Sequence, residues 1–243
     1  MQLLYALPGH RELSLPNPSS HAASGRIFLE IAMQRNYQSA ELCFQNNKEL
    51  TNQTAFHEAG HAASIYLGNK KKNLPPVFFQ IKIKKAENIN KQLYYAKVID
   101  GRLIQNLPIA GLENIQTLTT EEQRHYQCAY EADVINLLVG PLAEAKYVSI
   151  RDDEAFNFNL FTPHALNYYG GSSDVNKAYA YLEYFIPSSQ LRENKMLELF
   201  SEAFSFIENN ENWKYILKLA HYILESEKDV LSCEEVIDVL SSV

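Results

Sequence analysis

Thr54-Ala55-Phe56-His57-Glu58-Ala59-Gly60-His61-Ala62-Ala63-Ser64-Ile65-Tyr66-Leu67 is the stretch on which both fold and function turn. It contains H-E-x-x-H. Phe56, Ala59, Ala62, Ala63, Ile65, Tyr66 and Leu67 supply apolar residues at helical spacing, so a helix is expected from about Leu50 to Gly68. Gly68-Asn69 would stop it, and Lys70-Lys71-Lys72 would sit at the negative end of its dipole. On a helix, positions i and i+4 lie one above the other on one face. Two imidazoles at that spacing can grip one Zn²⁺, and the Glu beside the first of them can take a proton from an attacking water. A surface helix with two solvated histidines would not surround them with Gly and Ala. Gly60 inside the helix costs up to about 1 kcal/mol relative to Ala, so the close approach of another backbone or of a substrate is expected there.

Upstream, residues 1–23 hold Pro8, Pro16, Pro18 and several serines and read as an irregular arm. From Gly25 to about Asn46 the pattern is helical, with Ile27, Phe28, Ile31, Ala32, Ala40 and Leu42 as core candidates. Residues 24–243 are expected to form a single zinc domain. Downstream, Phe79, Ile81 and Ile83 alternate with Gln80, Lys82 and Lys84, the period of a half-buried strand. A second strand is expected over Gln92–Ile99. Asp100-Gly101 is a hairpin signal, so a third short strand, Arg102–Gln105, should return from it. This small sheet could offer an edge on which a substrate backbone lies extended.

Thr119-Thr120-Glu121-Glu122 reads as a capping box. The long helix after it runs to about Val148 and should kink or divide at Gly140-Pro141. Residues 151–171 read as loop. Ser172-Ser173 caps a helix starting near Asp174, and further helices are expected over 189–208, 212–227 and 233–241. The fold class is therefore mostly α, with a small antiparallel sheet after the metal-binding helix.

The 243 residues carry 29 acidic against 22 basic side chains, a net charge of −7, which argues against a nucleic-acid-binding surface. Cys43, Cys128 and Cys233 are odd in number and far apart, so neither a disulfide framework nor a cysteine zinc site is expected, and a cytoplasmic location with reduced thiols follows. No membrane span is expected, because no stretch of 18 or more apolar residues occurs. The chain starts without a basic segment of the secretory type.

A catalytic zinc needs a third protein ligand. No further histidine stands at metzincin spacing, and His125, His164 and His221 stand in no motif. A carboxylate is expected instead, from Glu131, Asp133, Glu144 or Asp174.

These segments resemble the peptidase domain of FtsH-type zinc metalloproteases, a zincin-like helical domain. His57-Glu58-Ala59-Gly60-His61-Ala62 is similar to that family's signature. Leu138-Val139-Gly140-Pro141-Leu142-Ala143-Glu144 is similar to its Gly-Gly-x-x-Ala-Glu helix. Gly170-Gly171-Ser172-Ser173-Asp174-Val175-Asn176-Lys177-Ala178 resembles the segment whose Asp completes the zinc site. Ile216 through Glu225 and Glu234-Glu235-Val236 resemble its last helices. The resemblance spans roughly residues 50–240. It implies His57, His61 and Asp174 as Zn²⁺ ligands, Glu58 as catalytic base, and Glu144 as an imidazole-orienting residue or a fallback ligand. The family couples its peptidase to an ATPase, and no G-x-x-x-x-G-K-[ST] phosphate loop occurs here. The implied substrates are therefore peptides or unfolded protein segments, taken alone or from a separate ATPase partner, with oligomer formation left open. Tyr168 and Tyr169 are candidate oxyanion donors. Two other functions compete with a metalloendopeptidase: a zinc hydrolase of another substrate, and a non-catalytic zinc-binding adaptor that keeps the fold.

Overall fold

The computed structural model describes residues 40–84, 95–104 and 119–242. The expected arm 1–23, and the expected helix as far as residue 39, lie outside them. The compact unit that carries the site is Phe44–Val243.

Helix α1, Ala40–Ala63, runs without interruption through the Asn46-Asn47-Lys48-Glu49 stretch where a gap between two helices was expected. It does not stop at Gly68 either. A π-helical turn, Ser64–Gly68, carries it into a last turn, Asn69–Lys71. Gly68 stays in the right-handed helical region, and the left-handed residue that ends the helix is Asn73, a role Asn tolerates. Lys70 and Lys71 lie in the last turn, as their charge favours.

Strand β1, Phe79–Ile83, buries Phe79, Ile81 and Ile83 and turns Lys82 outward, the alternation read from the sequence. Strand β2, Ala96–Asp100, pairs antiparallel with it, Ile81 opposite Val98; residues 85–94 lie outside the description. The expected return strand is not formed over its described residues, 102–104, and Gln105 lies outside them. Asp100 and Gly101 do take positive φ, but the Leu103 and Ile104 N–H groups donate to the Asp133 carboxylate at 2.9 and 3.0 Å instead of to a ladder. The third strand of the sheet is β3, Val230–Leu231, which pairs with the other side of β1 and gives the order β2-β1-β3. Among the described residues β2 is an edge of this sheet.

Helix α2, Thr120–Arg151, starts on the expected capping box, with Glu122 N–H bonding to the Thr119 hydroxyl and Glu122 bonding back. It passes through Pro141 as one helix, so the two-helix alternative is wrong. Ala132 to Ala145 is buried on every side, which marks a central helix. Two 3₁₀ turns, Phe158–Leu160 and Pro163–Tyr168, lead to α3, Ser172–Phe185. Gly171 rather than a serine occupies its N-cap, without a side-chain bond. Helices α4, Ser189–Glu208, and α5, Asn210–Glu225, start on Ser188 and Asn209 caps, and α6, Cys233–Ser241, on Ser232. Met196, Leu199, Phe200, Ala203 and Phe204 of α4 join Leu138 and Leu142 in the core; each large side chain so buried contributes about 1.5–3 kcal/mol. The protein is mostly helical with one small antiparallel sheet. Among the described residues no helix is long and apolar enough to cross a membrane, and Cys128 and Cys233 are free thiols.

Candidate metal centre

Two glycines let α1 and α2 meet. A Cβ on Gly60 would stand 2.6 Å from Ala143 Cβ and 3.0 Å from the Val139 carbonyl oxygen. This is the backbone approach that a helix-interior glycine foreshadowed. A Cβ on Gly140 would lie 2.3 Å from the His61 ring, so only glycine admits the imidazole there.

Both rings of the motif are held from behind. His57 Nδ1 is 2.9 Å from Glu144 Oε2, and His61 Nδ1 is 2.7 Å from the Asn136 carbonyl oxygen. Such partners fix which nitrogen faces outward. The outward nitrogens converge on one carboxylate: Asp174 Oδ2 is 3.2 Å from His57 Nε2 and 3.7 Å from His61 Nε2. Two ligands each about 2.1 Å from a tetrahedral zinc stand about 3.4 Å apart, so Asp174 Oδ2 lies near that spacing from each of the two outward nitrogens. Gly170, at φ +68°, closes the back of the site; a Cβ there would press on Glu144 Oε2 at 2.8 Å.

Of the four candidate carboxylates, only Asp174 contacts both outward nitrogens. Glu131 bonds Lys195 and Gln127, and Asp133 is consumed by Leu103 and Ile104. Glu144 lies behind His57, in the orienting position. Glu58 also offers an oxygen near the rings; its ligand atom and those of His57 and His61 lie within 4.8 Å of one another. Glu58 Oε2, however, accepts the Val98 N–H at 2.5 Å. Asp174 is therefore the better-placed candidate for a third ligand, and Glu58 lies beside the same two rings.

Charge follows this geometry. Burial opposes ionisation of Asp174, but bonds from His57 and His61 outweigh it and hold the carboxyl well below the usual range. Burial likewise works against a protonated His57, yet Asp174 and Glu144 raise it well above the ordinary histidine value. A site that draws a proton onto an imidazole has an excess of negative charge, the condition for binding a cation. Burial pushes the Glu58 carboxyl up, with His61, His57 and the Val98 N–H pulling the other way.

A cleft of about 410 Å³ opens over the site, lined by His57, Glu58, His61 and Asp174 and by residues Lys97 to Arg102. Tyr168 is exposed, and Tyr169 packs on Phe161; neither lines the cleft. His164 lies against Asn167, and His221 against the edge of Phe56. The structural roles of Val98 and Asn136 went unnoticed in the sequence. Both act through main-chain atoms, which residue type does not reveal.

The chain matches no protein-family model and no curated protein.

Proposed function

We propose that this protein is a zinc-dependent metalloendopeptidase acting on peptides or unfolded protein segments. The observation that carries the reading is the convergence of His57 Nε2, His61 Nε2 and Asp174 Oδ2, with each imidazole held on its other nitrogen. Zinc bound there would supply a Lewis acid that activates water and polarises a carbonyl. His57, His61 and Asp174 hold the ion, and Glu144 and Asn136 orient the rings. Glu58 takes the proton of the attacking water and hands it to the leaving amine. Its raised affinity for a proton suits a group that must both accept and donate.

The edge strand supports a peptide as substrate. Lys84 N–H bonds to Tyr95 O, and Gly101 N–H to Phe78 O. By the alternation of an antiparallel ladder, residues 96, 98 and 100 then turn their main-chain groups away from β1. The Val98 N–H bond to Glu58 agrees with that. An extended peptide can pair along this edge at the main-chain groups of residues 96 and 100, on either side of the Val98 N–H that Glu58 holds. The segments that resemble FtsH-type peptidases at 57–62, 138–144 and 170–178 all meet at this one site, which supports a zincin-like fold of that kind. Unfolding of folded substrates would then fall to a separate ATPase.

The test is Glu58→Gln. Zinc content should be unchanged, and chelator-sensitive peptide cleavage should drop by about 10²–10⁴-fold. His57→Ala and Asp174→Ala should lose zinc itself. Full cleavage by the Glu58→Gln protein would refute the mechanism. Stoichiometric zinc with no turnover of any peptide would favour the adaptor.

A further inference from the structure

The side chains along the open edge of β2 set what can lie beside it. Residues opposite one another in an antiparallel pair point to the same face of the sheet. Phe79, Ile81 and Ile83 share the core face with Ala96 and Val98. The outward face is built from the residues between. Lys82 and Lys97 stand directly opposite each other there, and both are exposed. Val230 of β3, 42% exposed, flanks Lys82 on its other side. Gln80 and Ile99 form the next row. Lys97 and Ile99 both border the cleft.

Like charges directly opposite in a sheet repel. A lysine on an edge strand deters stray pairing, but Lys82 lies on the central strand, where no edge needs guarding. The row from Val230 through Lys82 to Lys97 holds two cations and no acid. One strand spacing further on, it runs into the place that an added strand would fill. Two more cations border the cleft: Arg102, and Lys177, whose Nζ is 4.0 Å from Asp174 Oδ1. Four carboxylates stand against them. Glu58 and Asp174 belong to the proposed metal site, and Asp133 accepts two main-chain N–H groups with Arg102 nearby. Asp100 lies opposite Phe79, on the other face of the sheet from Lys97.

We infer that the cleft selects peptides carrying an acidic side chain beside Lys97 and an apolar one two residues away beside Ile99, with the residue between them level with Val98 and Glu58. The inference rests on the peptidase reading, whose substrate edge it uses, and names the substrate class. The period of two in an extended chain fixes the spacing. The flanking side chains share the outward face, and the one between them turns to the other face. The acid is attracted to Lys97 and offsets the repulsion between Lys97 and Lys82. The same rows meet a peptide running in either direction.

Short fluorescein-labelled peptides containing Glu-Ala-Leu or Leu-Ala-Glu, with Gln or Lys in place of Glu, can be titrated by anisotropy into the full-length Glu58→Gln protein with zinc. At low salt the better Glu order should bind about fivefold more tightly than its Gln counterpart, and the Lys counterpart more weakly still. The gap should close at high salt. Placing Glu next to Leu turns the two to opposite faces and should lose the gain. Lys97→Glu, an exposed change that sets opposite charges across from Lys82, should reverse the order so that the Lys peptide binds best. Lys97→Gln should level the three. Equal binding of Glu and Gln peptides at low salt, no saturable binding of any peptide, a Glu preference kept in Lys97→Glu, or a gain indifferent to spacing would overturn the inference. In the wild type, kcat/KM should follow the same ranking. Binding needs no turnover, so the two proposals fail separately. Ranked binding without cleavage of any peptide would sink the peptidase reading and leave the selection standing, and cleavage of Glu and Gln peptides at one rate would do the reverse.

Discussion

Helix α2 carries two buried carboxylates about three turns apart, and their surroundings differ completely. Asp133 receives two main-chain N–H groups, from Leu103 and Ile104, and so ties down the segment that leaves β2. Glu144 receives an imidazole nitrogen of His57 and is overlain by Gly170. The first region fixes a cleft wall, and the second aims a ligand. A buried carboxylate's role is thus set by the donor it meets, and the donor comes from a distant part of the chain.

The difference can be tested by disturbing each region in turn. The largest effect should come from Gly140→Ala. Its methyl would overlap the His61 ring, costing about 3 kcal/mol or more of stability and displacing a proposed zinc ligand. Thermal melts and zinc content should both fall, and a protein that kept wild-type zinc would show that the crossing tolerates bulk.

Next comes the pH response of the Asp133 region. Burial raises the Asp133 carboxyl to about 6, against the pull of the Ile104 and Leu103 N–H groups and Arg102. Its folded pKa lies above the unfolded value of about 3.9, so the native state binds the proton more tightly. The contribution of this group to stability is therefore greatest below pH 4 and falls as the pH rises to 6, by up to about 3 kcal/mol. Denaturant titrations of the wild type and Asp133→Asn across that range should differ by this slope, and parallel curves would remove the assignment. Glu144→Gln should leave this pH response intact and instead weaken zinc about 10–100-fold, measured by competition with a chelator. The smallest effect belongs to Thr119→Ala. Loss of the cap that starts α2 should cost about 1 kcal/mol with zinc affinity unchanged, because the metal face lies at the other end of the helix.

Much of the fold was legible because its signals are local. The alternation of Phe79, Ile81 and Ile83, the Thr119–Glu122 capping box and the runs that became α4 and α6 are patterns of a few consecutive residues that one face of an element must satisfy. The misreadings lie where a long-range partner outweighed a local preference. Asp100-Gly101 adopts the left-handed backbone of a hairpin turn, yet the strand after it is lost to the Asp133 carboxylate. Gly68 reads as a stop signal, yet the helix passes it and ends at Asn73. Pro141 removes one helical N–H, but the packing of α2 among α1, α3 and α4 keeps the helix whole.

In the site, sequence by itself determined that His57 and His61 share a helical face with Glu58 beside them, because spacing within one helix dictates direction. It also called for close packing at Gly60. Residue type and spacing left Asp174 level with Glu131, Asp133 and Glu144, and the choice of Asp174 came from the resemblance; only the tertiary structure showed which acid meets both imidazoles, because each is an acid on or near a helix and what distinguishes them is the atom met across the core. The same holds for Val98 and Asn136, which act through main-chain N–H and C=O groups common to almost every residue, so their positions could emerge only once the chain had folded.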